Sequence, residues 1–246
     1  MRVAILSDIH SNLEALNAVL DSVRSEEIRD IWILGDILGY GPMPNECIDA
    51  IKKLDAITIT GNHDLGAVSE IDIDNFNEEG KVAIEWQRSK VSLENLEFIK
   101  ALPKSARPID DVLMVHGSPR HPVWEYVIAS WIADENFAYF NEKICFFGHT
   151  HLPTVYKSNI EQGSEIIDVT AGDRFELDGK DLRWMINPGS VGQPRDGNPD
   201  SSYLILNTDD WSIEFRRMAY KINKTQEEMR GVGLPSYLRE RLPRGL

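Results

Sequence analysis

What the 246-residue chain lacks narrows its chemistry before any motif is read. It has two cysteines, Cys47 and Cys145, too few for a disulfide framework. Each sits in or beside an apolar segment, which suits buried free thiols in a reducing cytoplasm. No apolar run approaches the roughly 20 residues that a membrane span needs. Met1–Leu6 passes into Asp8 and His10 too soon for the apolar core and cleavage site of a signal peptide. A cytoplasmic location without membrane contact is therefore expected. Positive charge is also scarce: 26 Lys and Arg stand against 40 Asp and Glu, a formal charge of −14. The late arginines Arg216, Arg217, Arg239, Arg241 and Arg244 are scattered and form no basic track. A polyanion such as duplex DNA would be repelled at long range, which disfavours a nucleic-acid-binding surface. Internal repeats, low-complexity segments and linkers are missing too. The length allows one large α/β domain or two small ones, and the missing linker favours a single domain over 1–246.

What is there is enough for a sizeable core, at 42% hydrophobic. Arg2–Ser7 is aliphatic and β-branched and reads as a strand. Ser11 followed by Glu14 forms a capping box, and Leu13, Leu16, Leu20 and Val23 make the helical stripe behind it. Ile31–Leu34 is the next strand, which completes a βαβ unit with a right-handed crossover. Asn45–Leu54 reads as a helix and Asp55–Thr60 as a third strand. Leu65–Pro103 has no strand signal and holds two helices, the second capped by Ser92. Val112–Val115 and Lys143–Phe147 are strands, with a helix near Ser130–Phe140 between them. Short strands and turns follow at Val155–Lys157, Glu165–Val169, Arg183–Asn187, Ser202–Leu206 and Ser212–Arg217, with a hairpin turn at Asp209-Asp210. Lys224–Met229 is helical, and Pro235 begins a short amphipathic piece. This order predicts a first sheet built from βαβ units and then a second, mostly antiparallel one.

The early apolar runs end alike. Ile31–Leu34 stops at Gly35-Asp36, as a strand buried on both faces would if its C-terminal end carried a site. Gly-Asp alone is an ordinary turn. The pattern recurs, however, at Asp8-Ile9-His10, Gly61-Asn62-His63-Asp64, His116-Gly117 and Gly148-His149-Thr150-His151. Five of the six histidines therefore lie in four segments, each behind a strand. Singly, each reads as a satisfied loop residue; their joint occurrence is the signal. Parallel strands of one sheet bring their C-terminal ends to one edge, where α/β proteins bind ligands. The sixth, His121, reads as plain surface.

These five blocks, in order and complete at every ligand position, resemble the calcineurin-like metallophosphoesterase superfamily. Gly39-Tyr40-Gly41-Pro42, His116-Gly117-Ser118-Pro119 and the run Asn187–Arg195 are similar to its small prokaryotic phosphodiesterase branch. The resemblance covers nearly the whole chain. It implies an α/β fold, a four-layer αββα sandwich of two mixed β-sheets flanked by helices. It also implies one ion held by Asp8, His10, Asp36 and His151 and a second held by Asp36, Asn62, His116 and His149. Asp36 is then shared, with the ions about 3.5–4 Å apart. Mixed imidazole and oxygen ligands suit two divalent transition-metal ions, Mn²⁺ first, then Ni²⁺, Fe, Co²⁺ or Zn²⁺.

Only Asp8 and Asp36 among these ligands are charged. Two divalent ions and a bridging hydroxide would leave the site near +1 inside an acidic chain, which favours a small phosphorylated molecule as partner. The expected reaction is in-line attack on phosphorus by a metal-bridging hydroxide, hydrolysing a small phosphodiester or phosphomonoester such as a nucleotide. His63, not a ligand, would protonate the leaving oxygen, with Asp64 orienting it. Arg195 would contact a non-bridging phosphate oxygen, although a surface arginine in a Pro-Gly loop is an equal reading. Tyr40, Trp124 and Tyr126 either stack on a nucleobase or cover core. Gly189 and Gly192 read as turn glycines, since no helix clearly follows them. Two other classes are weighed. A non-catalytic scaffold is disfavoured by the complete ligand set, and a nuclease by the missing basic track. A homo-oligomer is compatible with all of these readings.

Overall fold

The computed structural model describes residues 1–159, 163–177, 179 and 182–246. The first half runs β1 (Arg2–Leu6), α1 (Leu13–Ser25), β2 (Asp30–Ile33), α2 (Pro44–Lys52), β3 (Ile57–Thr58), α3 (Asn62–Ala67), α4 (Glu78–Lys90), α5 (Leu93–Lys100), β4 (Ser105–Ile109) and β5 (Val112–Val115). It continues through α6 (Ser130–Asn136), β6 (Ile144–Phe146), β7 (Thr154–Asn159), β8 (Gly163–Ile167), β9 (Arg174–Glu176) and β10 (Leu182–Asn187). Then come β11 (Ser201–Asn207), β12 (Ser212–Met218), α7 (Ile222–Gly231) and α8 (Ser236–Glu240).

The strands form two six-stranded mixed sheets, ordered β3-β2-β1-β11-β12-β9 and β4-β5-β6-β10-β7-β8. In each, three strands are mutually parallel: β1, β2 and β3 in the first, β5, β6 and β10 in the second. The remaining strands pair antiparallel. The period-2 pattern assigns each strand residue to a layer. Val3 and Ile5 of β1 face Met114, Phe146 and Ile186 in the apolar layer between the sheets. Ala4 and Leu6 face the other way, against Leu16 and Leu20 of α1 and Ile48 of α2. On the outer face of the second sheet, Leu113, Cys145 and Met185 pack under Ile132 and Ala133 of α6. The result is helix, sheet, sheet, helix, as expected. Cys47 and Cys145 are buried free thiols. Among the described residues, no helix is long and apolar enough to cross a membrane.

Several sequence expectations need correction. The first and second sheets are not split at Thr154. β5 and β6 leave β1–β3 to found the second sheet, while β11 returns to pair with β1 and β12 adds beside β11. A four-residue apolar run carries no label saying which sheet it joins. The cap of α1 is Asn12, whose side chain accepts from Ala15 N at 3.3 Å, and not Ser11. Ser11 has φ +54° and donates its hydroxyl to Gln87 instead. Ser92 does cap α5. The short helix α3 was not foreseen, and neither were the edge strands β4, which contains Pro108, and β9, which has three residues. The helix expected over Ser130–Phe140 ends at Asn136 and passes into a 3₁₀ turn at Phe137–Tyr139.

Candidate functional site

Each of the six parallel strands delivers polar residues at its C-terminal end, and the two sheets bring those ends together. β1 leads to Asp8 and His10, β2 to Asp36, and β3 to Asn62 and His63. β5 leads to His116, β6 to His149 and His151, and β10 to the loop holding Gln193 and Arg195. The seven expected metal ligands are all buried. The crevice thus lies between two sheets, not along the edge of one as the sequence suggested.

The backbone turns sharply to aim these side chains. Asp8, His10, Asp36, His149 and His151 all have φ between +50° and +66°, a region that costs a non-glycine residue roughly 1–3 kcal/mol. Glycines make room. A Cβ on Gly61 would lie 2.1 Å from Asp36 Oδ1, and one on Gly148 would lie 2.0 Å from Ser7 Oγ. The loop Asn187–Gln193 braces the turns from behind. Ser190 Oγ donates to the Asp8 carbonyl at 2.8 Å, and Asn187 Nδ2 donates to the Gly148 carbonyl at 2.7 Å. Gly189 takes φ +79° and Gly192 lies against the Ile9 carbonyl, so both serve turns and close approach, as expected.

The inward-facing atoms form two overlapping groups around Asp36. His151 Nε2 lies 3.3 Å from Asp8 Oδ1 and 3.0 Å from His10 Nε2, which is 3.7 Å from Asp36 Oδ2. On the other side His116 Nε2 lies 3.3 Å from Asp36 Oδ2 and 3.1 Å from Asn62 Oδ1, and His149 completes that cluster. The Nδ1 atoms of His10, His116 and His151 each lie 2.6–3.0 Å from a backbone carbonyl, of Leu38, Leu34 and Gln193 respectively. A carbonyl can only accept, so each Nδ1 carries the hydrogen, and in the neutral imidazoles of His10 and His151 Nε2 keeps its lone pair inward. Among the described residues, Asp8 Oδ1 and His149 Nε2 are buried without a hydrogen-bond partner, and Asp36 Oδ2 makes no hydrogen bond and has the His116 imidazole 3.3 Å away. Buried unpaired acceptors and facing imidazole lone pairs are costly unless a cation sits among them. The residues therefore fit divalent metal. His63 also lies close enough to His10 and Asp36 to share a third such group.

Burial shapes the protonation of the metal-free site. It pushes Asp8 up to about 6, with the Asp36 charge adding to the rise and His116 opposing it. Burial would raise Asp36 too, but the adjacent His116 and His63 hold its carboxyl well below the usual range. Burial alone would lower His116, yet the Asp36 charge overrides it and lifts the imidazole to about 9. His10, His149 and His151 are driven down by burial and stay neutral.

The roles expected for His63 and Asp64 separate. Asp64 makes no hydrogen bond to the His63 ring. Its carboxylate accepts from the backbone N–H groups of Ile37, Leu38 and Gly61 at 2.9–3.3 Å and so ties the Asp36 loop to the start of α3. His63 instead has its Nε2 3.1 Å from the Tyr40 hydroxyl and its Nδ1 unpaired, while its backbone N–H donates to Asp36 Oδ1 at 2.8 Å. Burial lowers the His63 imidazole to about 4, partly offset by Asp36. Tyr40 is a buried core residue as well as the neighbour of His63. Reading the sequence missed that contact, and also Gln193 and the carbonyls behind the histidines. Arg195 Nη2 donates to Gln193 Oε1 at 3.0 Å, and its guanidinium lies 5.8 Å from the Tyr40 ring centre.

Tyr126 is 46% exposed and stacks on His149 with ring centres 3.9 Å apart. Trp124 lies 6.3 Å from His149 and touches Phe76, which packs edge-on against His63. These rings form an aromatic collar round the buried imidazoles and carboxylates. His121 is exposed, as expected.

The chain matches the family model of the calcineurin-like phosphoesterase superfamily domain over residues 1–211. It is 41% identical to protein MJ0912 of Methanocaldococcus jannaschii over 244 residues, covering 98% of this chain and 96% of that one. It is 25% identical to the phosphodiesterase YfcE of Escherichia coli over 224 residues, covering 87% and 91%. The crystal structure of a metallophosphoesterase from Sphaerobacter thermophilus is similar throughout, with a TM-score of 0.90, 40% identity and coverage of 100% and 99%.

Proposed function

Because the chain belongs to the calcineurin-like phosphoesterase superfamily, we propose that it is a hydrolase holding two divalent ions and cleaving a small phosphate ester, a diester or a monoester. One observation carries this reading. Asp8 Oδ1, Asp36 Oδ2 and His149 Nε2, all buried and without a hydrogen bond among the described residues, converge beside imidazoles whose Nδ1 hydrogens are already committed. Asp8, His10, Asp36 and His151 would hold one ion. Asp36, Asn62, His116 and His149 would hold the other, with Mn²⁺ as the first candidate. Ions there would polarise the phosphoryl oxygens and make water nucleophilic near neutral pH.

The chain's own residues do the rest. Asp36 Oδ1, fixed by the His63 N–H, leaves Oδ2 free to face both groups. His63 would pass a proton to the leaving oxygen in an in-line displacement, held in place by Tyr40 and by Phe76. Arg195 lies on the Tyr40 side and would meet a non-bridging oxygen. The relative YfcE, a phosphodiesterase, supports a diester as first substrate.

The protein loaded with Mn²⁺ should cleave bis-p-nitrophenyl phosphate, and chelation should abolish turnover. Manganese-soaked crystals should show paired anomalous peaks flanking Asp36. A single peak, or turnover that survives chelation, refutes the reading.

A further inference from the structure

A second cavity, of about 500 Å³, shares a wall with the crevice. Two segments form that wall. Arg195 N donates to the His151 carbonyl at 3.4 Å, which joins the two segments where they leave the crevice, and Leu152–Thr154 with Asp196 and Asn198 line the same cavity beyond it. His151 and Arg195 serve the crevice, whereas their successors Leu152 and Asp196 line the cavity. The same alternation occurs at Tyr126, which stacks on His149, and Val127, which lines the cavity. The cavity also lies at the crevice end of the sandwich, between the start of β7, the end of β8 and the end of β12.

Its lining is chemically mixed. Ile128, Ile166, Ile167 and Val169 give an aliphatic side, and Ile128 and Ile166 are 61% and 47% exposed. Two polar groups face them with capacity to spare. Asp168 has no ion-pair or hydrogen-bond partner among the described residues. Asn198 accepts from Asp200 N through its Oδ1 at 3.0 Å, which leaves its amide N–H groups to donate. Among the described lining residues the one cation, Arg217, is already held by the Asp196 carboxylate and the Asp200 carbonyl. With Asp168 added the described lining is net negative, which disfavours a second phosphate. An uncharged, flat, largely apolar group with an N–H and carbonyl edge suits it, and pockets of this volume typically hold such groups.

We propose that this cavity binds the base of a nucleoside esterified to the phosphate at the metal site, so that the substrate is a nucleotide ester. The proposal rests on the phosphoesterase reading above. The Asp168 carboxylate accepts from the base's N–H groups, the Asn198 amide donates to its carbonyl, and Ile128 and Ile166 cover its faces.

The test compares two esters with the same leaving group on the Mn²⁺-loaded enzyme, bis-p-nitrophenyl phosphate and the p-nitrophenyl ester of thymidine 5′-monophosphate. KM should be about tenfold lower for the thymidine ester, equivalent to about 1.4 kcal/mol. Ile166→Trp, which fills the cavity, should erase that advantage and leave the simple diester unaffected. Asp168→Asn, an exposed change that cannot unfold the core, should raise KM for the thymidine ester about threefold. Unchanged KM ratios in both variants would overturn the proposal. So would a dimer that Ile166→Trp dissociates without altering substrate preference, which would make the cavity a contact between copies. If neither ester is cleaved, the phosphoesterase reading itself fails. Thymidine binding to metal-free protein, followed by NMR shifts at Ile128 and lost in Ile166→Trp, then still decides the cavity's role, and no binding overturns it.

Discussion

Ile5, Leu34 and Phe146 lie between the two sheets, while two or three residues beyond the ends of the same strands Asp8, Asp36 and His149 line the crevice. All six are buried. The first three are apolar and packed into extended strands and their immediate ends. The last three sit at positive φ with charged or unpaired atoms. The contrast shows how a costly site is tolerated: the apolar layer over-determines where each strand ends, and the turn beyond it has no room to relax. Variants in the two regions should therefore fail in different ways. Asp36→Asn should lower kcat/KM for bis-p-nitrophenyl phosphate by about 100-fold or more, because it weakens the carboxylate that the two proposed ions would share. Phe146→Ala should instead cost about 3–5 kcal/mol of stability, read as a fall in denaturant midpoint, with kcat per folded molecule nearly unchanged. If Phe146→Ala lost turnover as severely as Asp36→Asn while still folded, the division between the regions would not hold.

The contrast sharpens at Asp8, where the crevice should work against the fold. Its pKa rises from 3.8 unfolded to about 6 in the metal-free protein, chiefly through burial. Below about pH 4 the carboxyl is neutral in both states and costs nothing; between about pH 4 and 6 the unfolded carboxyl ionises while the buried one stays protonated, so stability falls across that range, and above about 6 the full penalty of the buried charge is present. Asp8→Asn should therefore raise the melting temperature of chelated protein at pH 7.5, by a stabilisation of up to roughly 3 kcal/mol. The gain should vanish below about pH 4, and the stabilisation by added Mn²⁺ should shrink. A variant less stable than wild type at pH 7.5 would contradict the idea that the site is held against its own preference.

A smaller effect is expected at Tyr40, which belongs to both regions, with its ring in a hydrophobic cluster and its hydroxyl 3.1 Å from His63. Tyr40→Phe keeps the ring and removes the contact. It should lower kcat about tenfold for an alkyl phosphodiester, whose poor leaving group needs the proton, and much less for a p-nitrophenyl ester. Equal losses on both would place Tyr40 in substrate binding instead.

The sequence was most legible where chemistry follows directly on an apolar run. Asp8, Asp36, Asn62, His116 and His149 each fall within a few residues of a strand end, so order along the chain was enough to group them. Sheet membership was not legible: β2 and β5 are both four-residue strands, apolar apart from Asp30, and only long-range pairing sends them to different sheets. Neither was the partner of His63, because adjacency in sequence pointed to Asp64. Asp64 is the third residue of α3, with Gly61 at the cap, and its carboxylate turns back to the Gly61 N–H as an acid at that position commonly does. That spacing was the signal to read. Tyr40 gave no such signal, since it reaches His63 only through the folded loop.

The weakest effect should come from a polar knot that obeys the rules the crevice breaks. Glu125, between Trp124 and Tyr126 of the aromatic collar, accepts from Ser118 Oγ at 2.6 Å, Asn136 Nδ2 at 2.7 Å and the Arg120 guanidinium. Burial opposes its ionisation, but these donors outweigh it and hold the carboxyl near 2. A depressed acid stabilises the fold above its unfolded pKa of 4.5, and that contribution is lost as pH falls toward 2. Glu125→Gln should therefore lower the melting temperature by a few degrees at pH 7, with the deficit narrowing below about pH 4.5. The deficit runs opposite in sign to that expected of Asp8→Asn at the same pH. Turnover should change less than threefold, because the knot fixes the loop under Tyr126 without contributing an atom to the metal groups. A large loss of turnover with little loss of stability would mean that the collar's position, and not only the ligands, sets the rate.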